Sequence, residues 1–186
     1  MKTIFIGALI GTLTITTNLY AQVKIYSCKD GTISFFSATP LENIDAESKN
    51  AFAMLKTETN EISFMVAMRS FKFEKPLMQE HFNEKYVESE KYPNASFKGK
   101  VNEKINWSRD TVASISATCV FNCHGVDQPH TEKARLTIKN GNINIEGDFN
   151  VKLADHKIDV PTLVSEKIAE TIKVSHKMTL TPYLPK

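Results

Sequence analysis

The chain has 186 residues, of which 41% are hydrophobic, 24% charged and 9% aromatic. These fractions are typical of a folded globular protein and exclude collagen-like, low-complexity and largely disordered chains. The 23 Lys and Arg residues against 21 Asp and Glu residues leave a formal net charge of +2. Because so small a surplus gives little attraction to polyanions, we expect no nucleic-acid partner.

Residues 1–21 have the pattern of a cleavable signal peptide. Lys2 precedes an apolar run over residues 4–10, and Ala21 is a small residue at the expected cut. Polar residues interrupt the run between Thr12 and Asn18, so it falls short of the ~20 apolar residues that span a membrane. We therefore expect a periplasmic or secreted protein whose single domain is residues 22–186.

The first half of this domain predicts several short strands. Residues 31–38 and 95–101 are strand candidates, and residues 52–57 and 61–73 read as a hairpin around Thr59 and Asn60. In the second arm of that hairpin the apolar alternation changes phase near Arg69 and Ser70, which predicts a bulge or bend.

The second half has the clearest alternation. Residues 111–121 place Ala113, Ile115, Ala117, Cys119 and Phe121 on one face of a strand. Further along, the dipeptide Asn140 and Gly141 predicts a two-residue turn in which Ile138 faces Ile143 and Leu136 faces Ile145. The last strand alternates in the same way, with these apolar or inward positions: Ile172, Val174, His176, Met178 and Leu180.

Two segments have helical spacing instead. After Pro76, one stripe contains Leu77, Met78, His81, Phe82 and Tyr86. After Pro161, a second stripe contains Leu163, Val164, Ile168 and Ile172. The strand patterns favour a curved antiparallel sheet or a barrel over a parallel sheet, and we expect two short helices that cap its ends.

The three cysteines favour no catalytic or metal site. Cys119 and Cys123 are one residue too far apart for the haem-attachment motif, and strand geometry spreads them by about 13 Å, which disfavours a zinc site with His124 and His130. A disulfide from Cys28 to one of the two and three free thiols remain alternatives. His124, Asp127 and His130 read as a polar turn, so we expect no catalytic residue, no enzyme activity and no metal.

Three stretches resemble a known family. Residues 31–44, residues 71–86 and residues 91–99 resemble the YceI-like polyisoprenoid-binding family, in its short secreted bacterial form. The most specific part is the segment from Lys91, Tyr92 and Pro93 to Gly99, together with the helical stretch before it. Later matches are the His-Gly-Val turn at His124, then residues 147–149 and residues 158–161. The sequence departs from the family pattern at Asn122 and Cys123, where an apolar strand end is usual.

The resemblance implies an all-β, lipocalin-like antiparallel barrel of about eight strands that holds an amphiphilic lipid, such as an isoprenoid quinone or isoprenoid phosphate. We expect no cofactor beyond such a bound lipid, and transient membrane contact and a homodimer are open alternatives. We expect these residues to line or cap the cavity: Phe64, Phe71, Phe73, Phe82, Ile115, Phe149 and Met178. The alternative is a structural or stress-related envelope protein whose barrel is filled by its own side chains and binds no ligand.

Overall fold

The computed structural model describes residues 25–162 and 166–183, so the signal peptide predicted at residues 1–21 lies outside the described residues. Nine strands make up most of the described chain. They are β1 Ile25–Ala38, β2 Asn43–Lys56, β3 Glu61–Ala67, β4 Lys72–Phe73, β5 Asn94–Val101, β6 Thr111–Cys123, β7 Val126–Lys139, β8 Asn142–Lys152 and β9 Thr171–Pro182.

Eight of these strands close into an antiparallel barrel. The order around the wall is β1, β9, β8, β7, β6, β5, β3 and β2, and pairing of β1 with β2 completes the circle. The two-residue strand β4 pairs with β2 beyond the end of β3. The expected fold class, a lipocalin-like β-barrel, is therefore confirmed.

The predicted hairpin between β7 and β8 has the expected register. Ile138 pairs with Ile143 and Leu136 with Ile145. Asn140 and Gly141 have φ angles of 52° and 77°, the positive values that this tight turn requires. Because the turn fixes the register, all four apolar side chains point into the barrel and are buried.

The phase change predicted near Arg69 and Ser70 is confirmed as an interruption of the strand. A 3₁₀ turn, Met68–Ser70, separates β3 from β4. The Ser70 hydroxyl donates to the carbonyl of Ala67 at 2.6 Å and lies 2.7 Å from the Ser48 hydroxyl of β2. The turn lets Met68 and Phe71 both point inward and become buried.

One of the two predicted capping helices is present. Helix α1 spans Pro76–His81, with Pro76 in its first turn, and continues as a wider helical turn over Phe82–Tyr86. The helix predicted after Pro161 is wrong for residues 166–172: residues 166–170 form turns and bends, and Ile172 belongs to β9. Pairing of Ile172 with Val151 in β8 overrides the weak helical spacing, while residues 163–165 lie outside the described residues.

The two ends of the barrel differ. At the end that carries the β7–β8 turn, Trp107 is buried and its indole Nε1 donates to Asn60 Oδ1 at 3.0 Å. The neighbouring interior is filled by side chains with almost no exposure: Leu55, Leu136, Ile143, Ile145 and Leu180. We call this the closed half. Helix α1 lies at the opposite end.

Across the described ranges, no helix is long and apolar enough to cross a membrane.

Candidate functional site

The half of the barrel beneath α1 is hollow. Its cavity has a volume of about 480 Å³, within the ~300–1,000 Å³ usual for ligand pockets. Inward side chains of the strands form the wall, and α1 with the segment around Leu153, Ile158 and Ile168 forms the cover. Most of these side chains are hydrocarbon, so the space suits an apolar molecule better than water.

Six of the seven residues predicted for the cavity line it: Phe64, Phe71, Phe73, Phe82, Phe149 and Met178. Ile115 does not line it; its side chain is buried in the packed core. The reason is its position along β6. Ile115 pairs with Ala134 of β7 and lies closer to the closed half of the barrel than Cys119 does. The role of the six in binding a ligand stays a prediction.

A cluster of aromatic rings forms the part of the wall next to α1. The Phe82 ring lies with its centroid 5.0 Å from that of Phe73, 5.4 Å from Phe35 and 5.9 Å from Phe71. Phe35 also contacts Phe71 and Phe73 at 5.3 and 5.6 Å. The helical turn that contains Phe82 is therefore held on the barrel by the same rings that border the cavity.

Charged side chains surround the outer edge of the cavity. Lys75 Nζ lies 2.9 Å from Glu42 Oε1, and hydrogen bonding to this carboxylate raises the pKa of Lys75. Lys167 and the 60%-exposed Leu77 of α1 stand at the same edge. An amphiphile that lay partly in the cavity would meet both hydrocarbon and charge here.

Three polar side chains interrupt the hydrocarbon wall deep in the barrel. Glu132 on β7 is only 5% exposed, and its two carboxylate oxygens lie 3.1 Å from His130 Nε2 and 3.0 Å from His176 Nε2. Since a carboxylate can only accept, both imidazoles donate through Nε2–H. We call these three residues the polar triad.

The rings around the polar triad are aromatic. His176 has its ring centroid 5.7 Å from Phe64 and 6.4 Å from Phe149, and His130 lies 5.1 Å from Phe149. Glu132 and His176 line the cavity. Gly147 faces them from β8, and a Cβ atom there would lie 2.9 Å from Glu132 Oε1 and 3.0 Å from His176 Nε2. The missing side chain therefore makes room for the triad.

The three cysteines are free thiols, and all are buried. Burial raises the pKa of Cys119 and of Cys123 to about 11 each, so neither is a ready nucleophile. Cys119 donates its thiol hydrogen to the His130 carbonyl at 3.2 Å. Within the ranges 25–162 and 166–183, no three His, Cys, Asp or Glu side chains are arranged to hold a metal ion.

The residues predicted to form one polar turn separate in the structure. His124 occupies the β6–β7 turn with a φ of 52°, where its Nδ1 donates to the His156 carbonyl and its Nε2 lies 2.9 Å from Glu88 Oε2. Asp127 points outward on β7 and accepts a hydrogen bond from Asn122, whereas His130 points inward. The departure at Asn122 and Cys123 thus leaves the strand intact, because Asn122 takes the outer face and Cys123 the buried one.

Sequence reasoning missed Phe35, Phe97 and Phe121 as cavity residues and did not notice Glu132. Two adjacent phenylalanines, Phe35 and Phe36, leave the phase of β1 ambiguous. For Glu132 the signal was available: counting back in steps of two from Leu136 along β7 gives an inward position.

Comparison with known proteins agrees with this architecture. A family model described as a YceI-like domain matches residues 12–180. The chain belongs to the YceI-like family. No curated protein matches the sequence significantly.

Solved structures of YceI-like and related proteins share the fold at low sequence identity. A polyisoprenoid-binding domain from Saccharophagus degradans, implicated in plant cell wall breakdown, superimposes with a TM-score of 0.70 at 12% identity, over 87% of this chain and 99% of that one. BcnA of Burkholderia cenocepacia gives 0.68 at 11% identity, over 80% and 95%. A YceI protein of Campylobacter jejuni gives 0.54 at 15% identity, over 97% and 93%. At such identities the likeness concerns the fold alone.

Proposed function

We propose that this YceI-like protein binds the hydrocarbon chain of an amphiphilic lipid, such as an isoprenoid quinone or isoprenoid phosphate, without converting it chemically. The observation that carries the proposal is the hollow, phenylalanine-lined half of the barrel, whose volume is about 480 Å³. Membership of a family that contains a polyisoprenoid-binding domain supports the same ligand class. The alternative of a filled barrel without ligand is disfavoured by this unfilled space.

Solvation favours exchange of the lipid over permanent capture. Burying each CH₂ group is worth about 0.8 kcal/mol relative to water. Relative to a bilayer the chain gains almost nothing, because hydrocarbon already surrounds it there. We therefore propose that the protein exchanges lipid with membranes through transient contact. The signal-peptide pattern of residues 1–21 supports a periplasmic or secreted location.

The test is lipid content after purification from a bacterial envelope. Native mass spectrometry followed by organic extraction should find an amphiphile in the unaltered protein. In the double variant Phe73→Ser and Phe149→Ser, which makes two wall positions polar, the co-purified lipid should be lost.

A matched control replaces two apolar residues on the outer surface. Phe36 and Val112 are 43% and 63% exposed and point away from the cavity, so Phe36→Ser with Val112→Ser should keep the lipid. Circular dichroism establishes that both double variants are folded. A folded Phe73→Ser, Phe149→Ser protein with undiminished lipid, or an unaltered protein with no extractable lipid, would contradict the proposal.

A further inference from the structure

The hollow ends part-way along the barrel, at a level that the burial of the inward side chains marks. Along β9, Val174 lines the cavity and is only half-buried. The next inward side chain, His176, is buried, and Met178 and Leu180 after it have no exposed surface. The open space next to β9 therefore stops between Val174 and Met178.

Two further strands change from half-buried to buried at the same level. On β8 the change comes between Phe149 and Ile145, and on β6 it comes between Phe121 and Cys119. Phe149 pairs with Val174, and its ring centroid lies 5.4 Å from that of Phe121, so these three residues share one level. All three line the cavity, so their exposed surface faces the hollow.

A hydrogen-bonded layer forms the floor of the hollow. Glu132 of the polar triad is buried, and its carboxylate holds His130 and His176 from the two sides. The layer is closely packed, because even a Cβ atom at Gly147 would lie 2.9 Å from Glu132 Oε1. Beneath this layer the closed half offers a ligand no further space.

The hollow above this floor is short. From His176 back to Thr171, the first residue of β9, five steps of ~3.3 Å give about 16 Å along the strand, or about 12 Å along the barrel axis at a strand tilt of ~40°. At the ~30 Å³ that a water-sized group occupies in a liquid, the cavity of about 480 Å³ holds about 16 CH₂-sized groups. Three isoprene units contain fifteen carbon atoms.

We infer that the barrel selects amphiphiles by chain length and holds a single chain of about 16 carbon atoms, which is three to four isoprene units or a fatty acyl chain of similar size. The polar end of such a molecule lies at the outer edge of the cavity, near Lys75 and Lys167. This inference rests on the proposed function, because it states which length of lipid chain the cavity takes.

Chains beyond this length are penalised by solvation. While the added carbon atoms fit inside the cavity, they leave water for hydrocarbon in the protein just as they do in a bilayer. Once the hollow is full, each further CH₂-sized group stays in water in the protein complex but not in the bilayer. The partition between protein and bilayer then falls by about 4-fold per group, or roughly 1,000-fold for the five carbon atoms of one isoprene unit.

The experiment measures this partition for alcohols with one head group and different chains. The probes are geraniol, farnesol, geranylgeraniol and solanesol, which have two, three, four and nine isoprene units. Protein stripped of lipid on a hydrophobic resin is equilibrated with each labelled alcohol and phosphatidylcholine vesicles, and the vesicles are then pelleted. We expect geraniol and farnesol to partition within about 10-fold of each other, and solanesol at least about 1,000-fold less into the protein.

A variant that fills part of the hollow should move the limit. Val174→Phe adds four carbon atoms to a side chain that faces open space, which removes about 120 Å³ at ~30 Å³ each. We expect the longest alcohol that the protein retains to become about one isoprene unit shorter. The matched control is Val112→Phe, the same change at a 63%-exposed position outside the cavity, which should leave the limit unchanged. Circular dichroism establishes that both variants are folded.

The outcomes separate this inference from the proposed function. If solanesol partitions into the unaltered protein as well as farnesol does, selection by length is overturned and lipid binding stands. A folded Val174→Phe protein with the same limit as the unaltered protein also overturns it. The series on the unaltered protein decides the matter alone if Val174→Phe does not fold. If no alcohol binds, the proposed function fails together with the inference.

Discussion

Gly147→Ala tests whether the polar triad is packed as tightly as the structure shows. Gly147 lies in the middle of β8 between Ala134 of β7 and His176 of β9, and its inward side is occupied by neighbours. A Cβ atom would lie 2.7 Å from the Lys133 carbonyl oxygen, 2.9 Å from Glu132 Oε1 and 3.0 Å from His176 Nε2. The backbone oxygen cannot move far, so the new methyl group must displace the triad or the strand.

The magnitude follows from two contributions. Overpacking of one methyl group is destabilising by about 1–3 kcal/mol, and weakening the hydrogen bond between His176 and the Glu132 carboxylate adds up to about 1.5–3 kcal/mol. Because the two overlap, we expect a loss of about 2–4 kcal/mol in the free energy of unfolding. At about 2–4 °C per kcal/mol for a chain of this size, the Tm falls by roughly 4–16 °C.

The assay is urea unfolding followed by circular dichroism and by fluorescence of Trp107, the single tryptophan. Glu146→Ala, at the exposed neighbouring position of β8, is the matched control and should change stability by less than about 0.5 kcal/mol. Replacing Gly by Ala where no clash exists stabilises a protein by about 0.4–1 kcal/mol, through the unfolded state. A Gly147→Ala protein as stable as the unaltered one, or more stable, would refute the packing described here.

Two further predictions concern titratable groups. Burial lowers the pKa of His156, which is 3% exposed, so the unfolded chain binds a proton more readily and stability should fall as the pH drops below about 6.5. His156→Asn, whose amide can still donate to the Cys123 carbonyl, should reduce the stability loss between about pH 7.5 and about pH 5.5, measured by urea unfolding; equal losses would contradict this cause. Iodoacetamide should leave Cys119 and Cys123 unmodified in the folded protein, because both are buried with pKa values of about 11, and should modify all three cysteines after denaturation. Rapid labelling of either residue before unfolding, read by mass spectrometry, would show that the barrel opens there.

Local signals allowed much of the barrel to be predicted from the sequence. The Asn140–Gly141 turn sets its own register, because only residues tolerant of positive φ fit it. The alternation from Ile172 to Leu180 predicts which side of β9 is buried, since a strand with one face in a core has period two. The phase change near Arg69 likewise indicated the turn that interrupts the wall.

Features set by distant parts of the chain were harder to predict. The first half of β2 has few large apolar residues: its inward positions are Ile44 and the small Ala46 and Ser48. Its pairing with β1 is shifted at Gly31, so no single period covers the strand. The helical spacing after Pro161 was misleading because Ile172 belongs to β9, where it pairs with Val151 of β8.

The residues of the candidate site were likewise predictable only in part. Spacing placed Phe64, Phe73 and Phe149 on inner faces, but no local pattern told which inner positions border open space and which border other side chains. Ile115 has the same periodicity as Phe121 on the same strand, yet only Phe121 lines the cavity. Depth along a barrel depends on the stagger of neighbouring strands, which a single segment does not encode.

The contrast between the closed half and the cavity has a consequence for how such barrels diversify. Leu55, Leu136, Ile143, Ile145 and Leu180 supply close packing that does not involve the ligand space. Substitutions among the phenylalanines can therefore alter the shape of the hollow while an independent source of stability keeps the strands paired. The cavity can therefore change shape over evolution without loss of the fold, because the residues that stabilise the fold lie at the other end of the same strands.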